Sequence, residues 1–240
     1  MVAAPQFYLS LFAGVGGLDL SVRIAIPDAR CLCYVEAEVA AARILAARME
    51  DGSLDEAPIW SDARTFPSEL FRDRVDGIVG GFPCPDYSVA GKRKGIVGKH
   101  GELWTPTARI IRDVRPRWVY LENVPGILVP HRIPRWRWDR ERRKWTQYIL
   151  PAGLWFVLGQ LAEMGLDAEW GTLPAAEIAA PHKRERWFCL AYQPGRGCGI
   201  VREPSERRGF IGGAARQWNG DYAFGPPRNT LRAFRLWGRN

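Results

Sequence analysis

The sequence predicts an α/β protein built on a mostly parallel sheet with helices on both faces, and three features indicate this fold. Short apolar runs alternate with helix-like segments up to about residue 192. Glycine-rich turns follow several of the apolar runs, as they do between strand and helix in βαβ units. Polar residues stand where the predicted strands end, which is the edge at which parallel sheets bind ligands.

The predicted elements follow in a regular order. Strands are predicted over residues 7–12, 31–36, 75–81, 117–123 and 184–192, with a further short strand just before WSDARTF (60–66). Helices are predicted over residues 18–26, 37–49, 101–114 and 154–165. From residue 193 the chain is rich in Gly, Pro and Arg and loses its periodicity. We therefore expect one domain over residues 1–192 and a partly disordered tail over residues 193–240.

The charge distribution favours a polyanionic partner. The chain carries a formal net charge of +8, and a basic insert at about 131–150 begins with HRIPRWRWDRERRKW, in which seven basic residues face two acids. Three tryptophans are interleaved there, and the tail adds nine arginines against three acids. Basic side chains can neutralise phosphates and aromatic rings can stack on bases. The alternative is a solvated loop and tail.

Several classes of protein are disfavoured. No run of about 18 apolar residues is present, and the N-terminus lacks the basic region of a signal peptide. The five cysteines form no pair of CxxC motifs, so zinc is not expected. We expect reduced thiols in a cytoplasmic protein, with no metal.

A glycine turn and two acids indicate an adenosine site. FAGVGGLDL (12–20) has the form strand, glycine turn, helix. Glu36 ends the next predicted strand 20 residues after Gly16, where an acid accepts hydrogen bonds from ribose hydroxyls. Asp62 follows a third strand and could accept from an adenine amino group. No GxxxxGK[ST] motif is present, so we expect no triphosphate site.

Four motifs resemble those of the DNA cytosine-5 methyltransferases. They are FAGVGG, GGFPCPDYSVAGKRKG, ENVPG and APHKRERWF, in this order from residue 12 to residue 188. The resemblance implies a Rossmann-like class I methyltransferase fold, S-adenosylmethionine as cofactor, S-adenosylhomocysteine as product and duplex DNA as substrate. It also implies that the target cytosine is flipped out of the duplex, and it suggests a protein of bacterial or phage type.

The resemblance assigns catalytic roles to four residues. Cys84, flanked by prolines and followed by basic residues that favour its thiolate, is the nucleophile that adds to cytosine C6. C5 then accepts the methyl group, and loss of the C5 proton releases the thiol. Glu122 is the acid at N3, and Arg186, supported by Arg184, contacts the O2 carbonyl.

The resemblance also suggests binding residues. Those expected at the cofactor are Phe12, Ala13, Gly14, Gly16, Gly17, Leu18, Glu36, Asp62, Ala63, Pro83 and Leu103. Those expected at the substrate are Ser88, Lys92, Arg93 and Asn123. His182 and Pro85 stand where the family usually has glutamine.

Neither the family's target-recognition region nor its last cofactor motif is found in the sequence. Three alternatives follow: the catalytic half of a split enzyme whose second polypeptide supplies recognition, a compact enzyme active alone, or a truncated DNA-binding relic. A tRNA cytosine-5 methyltransferase is a further alternative, because the motifs do not separate DNA from RNA. A small-molecule methyltransferase is disfavoured by the basic charge.

Overall fold

The computed structural model describes residues 6–83, 103–128, 132–139, 144–151, 153–182 and 184–195, and the predicted α/β fold is confirmed within them. The strands are β1 (Phe7–Leu11), β2 (Arg30–Val35), β3 (Ile59–Trp60), β4 (Gly77–Gly80), β5 (Trp118–Asn123), β6 (Arg132–Asp139), β7 (Lys144–Pro151), β8 (Asp167–Pro174) and β9 (Glu185–Tyr192). The helices are α1 (Gly17–Ala25), α2 (Val39–Glu50), α3 (Trp104–Val114) and α4 (Leu154–Glu163).

Seven strands form one sheet in the order β3-β2-β1-β4-β5-β9-β8. The first five are parallel, and β9 runs antiparallel to both of its neighbours. Strand order reverses between β1 and β4, where Leu11 pairs with Gly80. In open α/β sheets ligands bind outside the carboxyl ends of the strands at such a switch point. The carboxyl ends of β1, β2, β4 and β5 therefore form the edge at which a site is expected.

The sheet separates two hydrophobic cores. On one face α1 and α2 pack through Val22 and Leu45 onto a core that includes Tyr8. On the other face α3 and α4 pack onto a core that includes Leu9 and Leu11, because alternate residues of a strand point to opposite faces. Each fully buried aliphatic side chain of these cores contributes about 1.5–3 kcal/mol. The prediction of helices on both faces is confirmed.

Two features of the fold were not predicted. Among the described strands, β8 lies at the sheet edge and pairs only with β9, and its residues are half-buried throughout. Its sequence, DAEWGTLP, therefore lacks the apolar run that marks a central strand. Strands β6 and β7 form a separate antiparallel ribbon within the basic insert, with Trp138 paired to Trp145. The predicted tail lies, from residue 196 onward, outside the described residues.

The described cysteines are structural. Cys31, Cys33 and Cys189 are free and buried, and burial raises the pKa of the Cys33 thiol. A buried thiol of raised pKa is chemically inert at neutral pH. In the part of the chain that the structure describes, no group of three or more His, Cys, Asp or Glu could hold a metal ion. None of the helices in these ranges has the length and apolar character needed to cross a membrane.

Candidate active site

The glycine turn between β1 and α1 is required by its backbone geometry. Gly14 and Gly16 have φ angles of 55° and 81°, in the left-handed region that favours glycine. A Cβ at Gly16 would lie 2.5 Å from Cδ1 of Leu54. The amide of Gly16 donates to the carbonyl of Ala13 at 2.9 Å, which closes the turn immediately before α1. The sequence thus places small residues where the chain must reverse at the carboxyl end of β1.

Glu36 holds this turn against β2. Its Oε2 accepts a hydrogen bond from the Gly14 amide at 2.7 Å, and its Oε1 accepts one from the Glu38 amide at 2.8 Å. The Ala13 amide also donates to the carbonyl of Val35 at 3.2 Å. The structure therefore brings together the two features that predicted a nucleoside site, the glycine turn and the acid that follows β2.

The glycine turn leaves open space around two of its glycines. A Cβ at Gly14 or Gly17 would meet no heavy atom within 4 Å, so the turn leaves open space beside Glu36. Asp62, which follows β3, accepts a hydrogen bond from the Arg64 amide at 2.9 Å, and the adjacent Ala63 is buried. Carboxylates at the ends of adjacent strands can accept hydrogen bonds from ribose hydroxyls and from an amino group.

Gly81 lies close to the predicted acid, Glu122, and to a side chain of α1. A Cβ at Gly81 would lie 3.1 Å from Oε2 of Glu122 and 3.7 Å from Cδ1 of Leu18. Side chains from α1 and from the end of β5 thus meet beside the segment that follows β4. This segment continues through Phe82 and Pro83 towards Cys84.

Glu122 and Arg186 form an ion pair at the same edge. Arg186 Nε lies 2.7 Å from Glu122 Oε1, and about one quarter of each side chain is exposed. Burial raises the pKa of Glu122, although the cations of Arg186 and Arg184 oppose this effect. The antiparallel pairing of β5 with β9 creates this arrangement, because Glu122 lies opposite Phe188, two residues from Arg186. A carboxyl of raised pKa beside a guanidinium can share a proton with a substrate nitrogen.

Asn123 fixes the segment that leads to Cys84. Its Nδ2 donates to the carbonyl of Phe82 at 3.0 Å, and its Oδ1 accepts from the Val124 amide at 2.8 Å. The side chain is buried, so both polar groups are satisfied within the protein. Asn123, predicted at the substrate, here ties the end of β5 to the chain just before the predicted nucleophile.

The structure does not describe every predicted site residue. Cys84, Ser88, Lys92 and Arg93 lie outside the described residues. Pro83 is exposed at the end of one described range, and Leu103 precedes the first residue of α3 at the start of the next. Phe12 is half-buried against the core, and Arg184 is exposed, with its amide 3.4 Å from Nδ1 of His182.

Sequence reasoning missed two charged residues near the site. Asp19 of α1 is fully buried and accepts a hydrogen bond from the Ser10 hydroxyl at 3.0 Å. It lies three residues before the buried Val22, a helical spacing that places it on the inner face. Arg109 of α3 contacts the loop that contains Asp62. Arg109 stands four residues before Asp113, a spacing typical of an ion pair on a helix surface. The sequence therefore gave no sign that Arg109 contacts a distant loop.

Comparison with known proteins identifies the family. Residues 7–208 match the family model described as C-5 cytosine-specific DNA methylase. The chain belongs to this family. It is 31% identical over 191 residues to the type II methyltransferase M.CviJI of Paramecium bursaria Chlorella virus IL3A, a match that covers 78% of this chain and 44% of that protein. The predicted membership is thereby confirmed.

Two further relatives bear on fold and length. The crystal structure of a Spodoptera frugiperda DNMT2 mutant shares the fold, with a TM-score of 0.57 and 16% identity over 86% of this chain and 54% of that one. The type II methyltransferase M.AquIA of Picosynechococcus sp. (strain ATCC 27264 / PCC 7002 / PR-6) is 26% identical over 191 residues, which cover 78% of this chain and 72% of M.AquIA. The chain spans about half the length of M.CviJI.

Proposed function

We propose that the chain transfers a methyl group to C5 of cytosine in duplex DNA. The observation that carries this proposal is the arrangement of Glu122, Arg186 and Gly81 at one edge of the sheet. Glu122, a carboxyl of raised pKa, lies 2.7 Å from the guanidinium of Arg186 there, beside the segment that leads to the predicted nucleophile. Family membership supports the same chemistry.

The proposed mechanism assigns one task to each side chain. The Cys84 thiolate adds to C6 of a flipped cytosine, and the ring electrons move towards N3 and C5. Glu122 donates a proton or a hydrogen bond at N3, where negative charge develops. Arg186 binds the O2 carbonyl and neutralises Glu122 when that carboxyl is ionised. After C5 has gained the methyl group, the C5 proton passes to solvent, the electrons of the C5–H bond re-form the ring double bond as the C6–S bond breaks, and N3 returns any proton it received to Glu122.

The glycine turn and the two acids are proposed to bind the cofactor. S-adenosylmethionine, when bound, supplies the methyl group as an activated sulfonium. Glu36 would hold the ribose hydroxyls, and Asp62 would accept from the adenine amino group. The turn at Gly14 and Gly17 provides open space for this group, since no heavy atom lies within 4 Å of a Cβ placed at either residue.

We further propose that the β6–β7 ribbon contacts DNA. A two-stranded ribbon has the dimensions that the major groove admits. The insert from residue 131 to residue 145 carries seven basic residues, which can neutralise phosphates. At 20 residues it is small for a complete recognition region, so we propose that a second polypeptide supplies target recognition. The similarity to M.AquIA, a relative of which 72% is covered, supports a short catalytic chain.

A methyl-transfer assay tests this function. Purified chain is incubated with S-adenosylmethionine carrying a tritiated methyl group, separately with duplex DNA and with tRNA, and the digested products are identified. We expect 5-methylcytosine in DNA, with Glu122→Gln about a hundredfold slower or worse and Glu177→Gln, an exposed glutamate, unchanged. Methylation of tRNA alone would contradict the proposed substrate.

The same assay tests the proposed division between two chains. If a second polypeptide supplies target recognition, the chain alone should form 5-methylcytosine in DNA only slowly. Addition of the part of M.CviJI that lies outside the matched region should then increase the rate of transfer. Full activity of the chain alone would overturn this part of the proposal.

A further inference from the structure

The loop after β3 is fixed by one arginine of α3. The Nη2 group of Arg109 lies 3.0 Å from the carbonyl oxygens of Ala63 and Phe66 and 3.5 Å from that of Arg64. These three carbonyls belong to the turn that follows Asp62, in which the Thr65 amide donates to the Asp62 carbonyl at 3.1 Å. One cationic group thus gathers three backbone acceptors immediately after the predicted adenine contact.

The other end of the guanidinium is held by the buried Ser68 and the half-buried Asp113. Nη1 of Arg109 donates to Oγ of Ser68 at 2.7 Å and lies 3.3 Å from Oδ2 of Asp113. The Ser68 hydroxyl donates in turn to the same carboxylate oxygen at 2.6 Å, and Ser68 is fully buried. Because three groups share these contacts, the arginine has few alternative positions. Hydrogen bonds that involve a charged group contribute more than neutral ones.

Helix α3 is itself rigidly placed. Its first residue, Trp104, is buried, lies 5.1 Å from the ring of Phe82 and donates through Nε1 to Gln160 of α4 at 2.6 Å. The helix therefore offers a fixed reference between the segment before Cys84 and the loop that contains Asp62. A side chain anchored on it can hold that loop in one conformation.

We propose that Arg109 is a positioning residue that sets Asp62 for recognition of the adenine amino group. This inference rests on the proposed function, because it takes Asp62 as the adenine acceptor. Arg109 acts only through the turn and touches no substrate. Lysine at this position keeps the positive charge but cannot bridge several carbonyls with the fixed fork of a guanidinium.

The first experiment measures the turn without any ligand. Amide hydrogen exchange of residues 61–72 is compared in the wild type, in Arg109→Lys and in Arg112→Lys, an exposed arginine on the same helix. We expect the amides of Thr65 and Ser68 to exchange about tenfold faster or more in Arg109→Lys alone, with the strands of the core unchanged. Unchanged exchange of these amides in Arg109→Lys would overturn the inference.

The second experiment reports on Asp62 specifically. Dissociation constants are measured for S-adenosylhomocysteine and for S-inosylhomocysteine, which lacks the amino group. The wild type should prefer the adenosyl ligand, and Arg109→Lys should reduce that preference about tenfold or more, since a misplaced acceptor no longer distinguishes the two. A general loss of stability would weaken both ligands equally and leave the ratio unchanged, which would overturn the inference.

Two further outcomes are informative. Should Arg109→Lys fail to fold, Ser68→Ala removes the hydroxyl that bonds both Arg109 and Asp113 and should reduce the preference in the same direction but less. If the wild-type chain binds neither ligand or does not distinguish them, the proposed cofactor site is wrong. The exchange experiment then decides alone whether Arg109 holds the turn.

Discussion

Replacing Asp19 by asparagine should stabilise the protein at neutral pH. Asp19 is fully buried in the first turn of α1, and its Oδ1 has no hydrogen-bond partner among the described residues. Burial raises the pKa of this carboxyl to about 6 from an ordinary value of 3.8, although the Ser10 hydroxyl bonds to Oδ2. An asparagine can accept the same hydrogen bond without a buried charge, so the substitution removes the cost of desolvating the carboxylate.

The sign and size of the effect follow from proton linkage. Because the pKa is higher in the folded than in the unfolded chain, the folded state binds more protons between these two values. The free energy of unfolding should therefore fall as the pH rises from about 4 to above 6, with the Asp19 contribution reaching about 3 kcal/mol for a shift of about two pKa units. Asp19→Asn should abolish this contribution, gaining up to about 3 kcal/mol over the wild type at pH 8 and nothing at pH 4.

Urea unfolding followed by circular dichroism between pH 4 and pH 8 measures this difference. Asp28→Asn, an exposed aspartate just beyond α1, is the matched control and should leave the pH dependence unchanged. The difference between variant and wild type isolates the Asp19 contribution from the other titrating groups. If Asp19→Asn is less stable than the wild type at pH 8, the carboxylate is stabilising and the reasoning is refuted.

Three further predictions concern the edge of the sheet. Gly16→Ala should lower the free energy of unfolding by about 2 kcal/mol or more in thermal denaturation, because residue 16 has a left-handed backbone and its new Cβ would overlap the Leu54 side chain. Gly14→Ala, whose Cβ would meet no atom within 4 Å, should lower it by less. Gly81→Ala should slow methyl transfer about tenfold with little change in melting temperature, since its Cβ presses on Glu122 at 3.1 Å; an unchanged rate would contradict this. Arg186→Gln removes a cation that lowers the pKa of Glu122, so this pKa should rise and the descending limb of the pH–rate profile should move to higher pH. A shift of that limb to lower pH would contradict the assignment of Glu122 as the acid.

The sequence predicted the parts of the fold that carry strong local signals. Strands β1, β2, β4, β5 and β9 and all four helices were expected, because apolar runs and helical periodicity mark buried elements. Strand β8 was not predicted because an edge strand needs no apolar run. The β6–β7 ribbon was not predicted because its many charged residues obscured the alternation of apolar and polar side chains. Such elements depend on their partners more than on their own composition.

The site was predictable as a set of residues but not as a set of contacts. Glu36 and Glu122 could be placed at one edge of the sheet because each stands at the end of a predicted strand. Arg186 lies near the start of β9 and reaches the same edge only because β9 runs antiparallel to β5. Long-range contacts have no local signature, so the bond of Glu36 to the Gly14 amide could not be read from the sequence. The hydrogen bond from Arg109 to the Ala63 carbonyl could not be predicted for the same reason, because the two residues are 46 positions apart in the sequence.

The most direct test of the proposed chemistry is covalent capture of Cys84. The chain, supplemented where transfer requires it with the part of M.CviJI outside the matched region, is incubated with S-adenosylmethionine and duplex DNA containing 5-fluorocytosine. Fluorine cannot leave C5 as a proton does, so addition to C6 becomes irreversible. Mass spectrometry should show a protein–DNA adduct in the wild type and none in Cys84→Ser. Methyl transfer to cytosine by the Cys84→Ser variant, or transfer by the wild type without any adduct, would contradict the account.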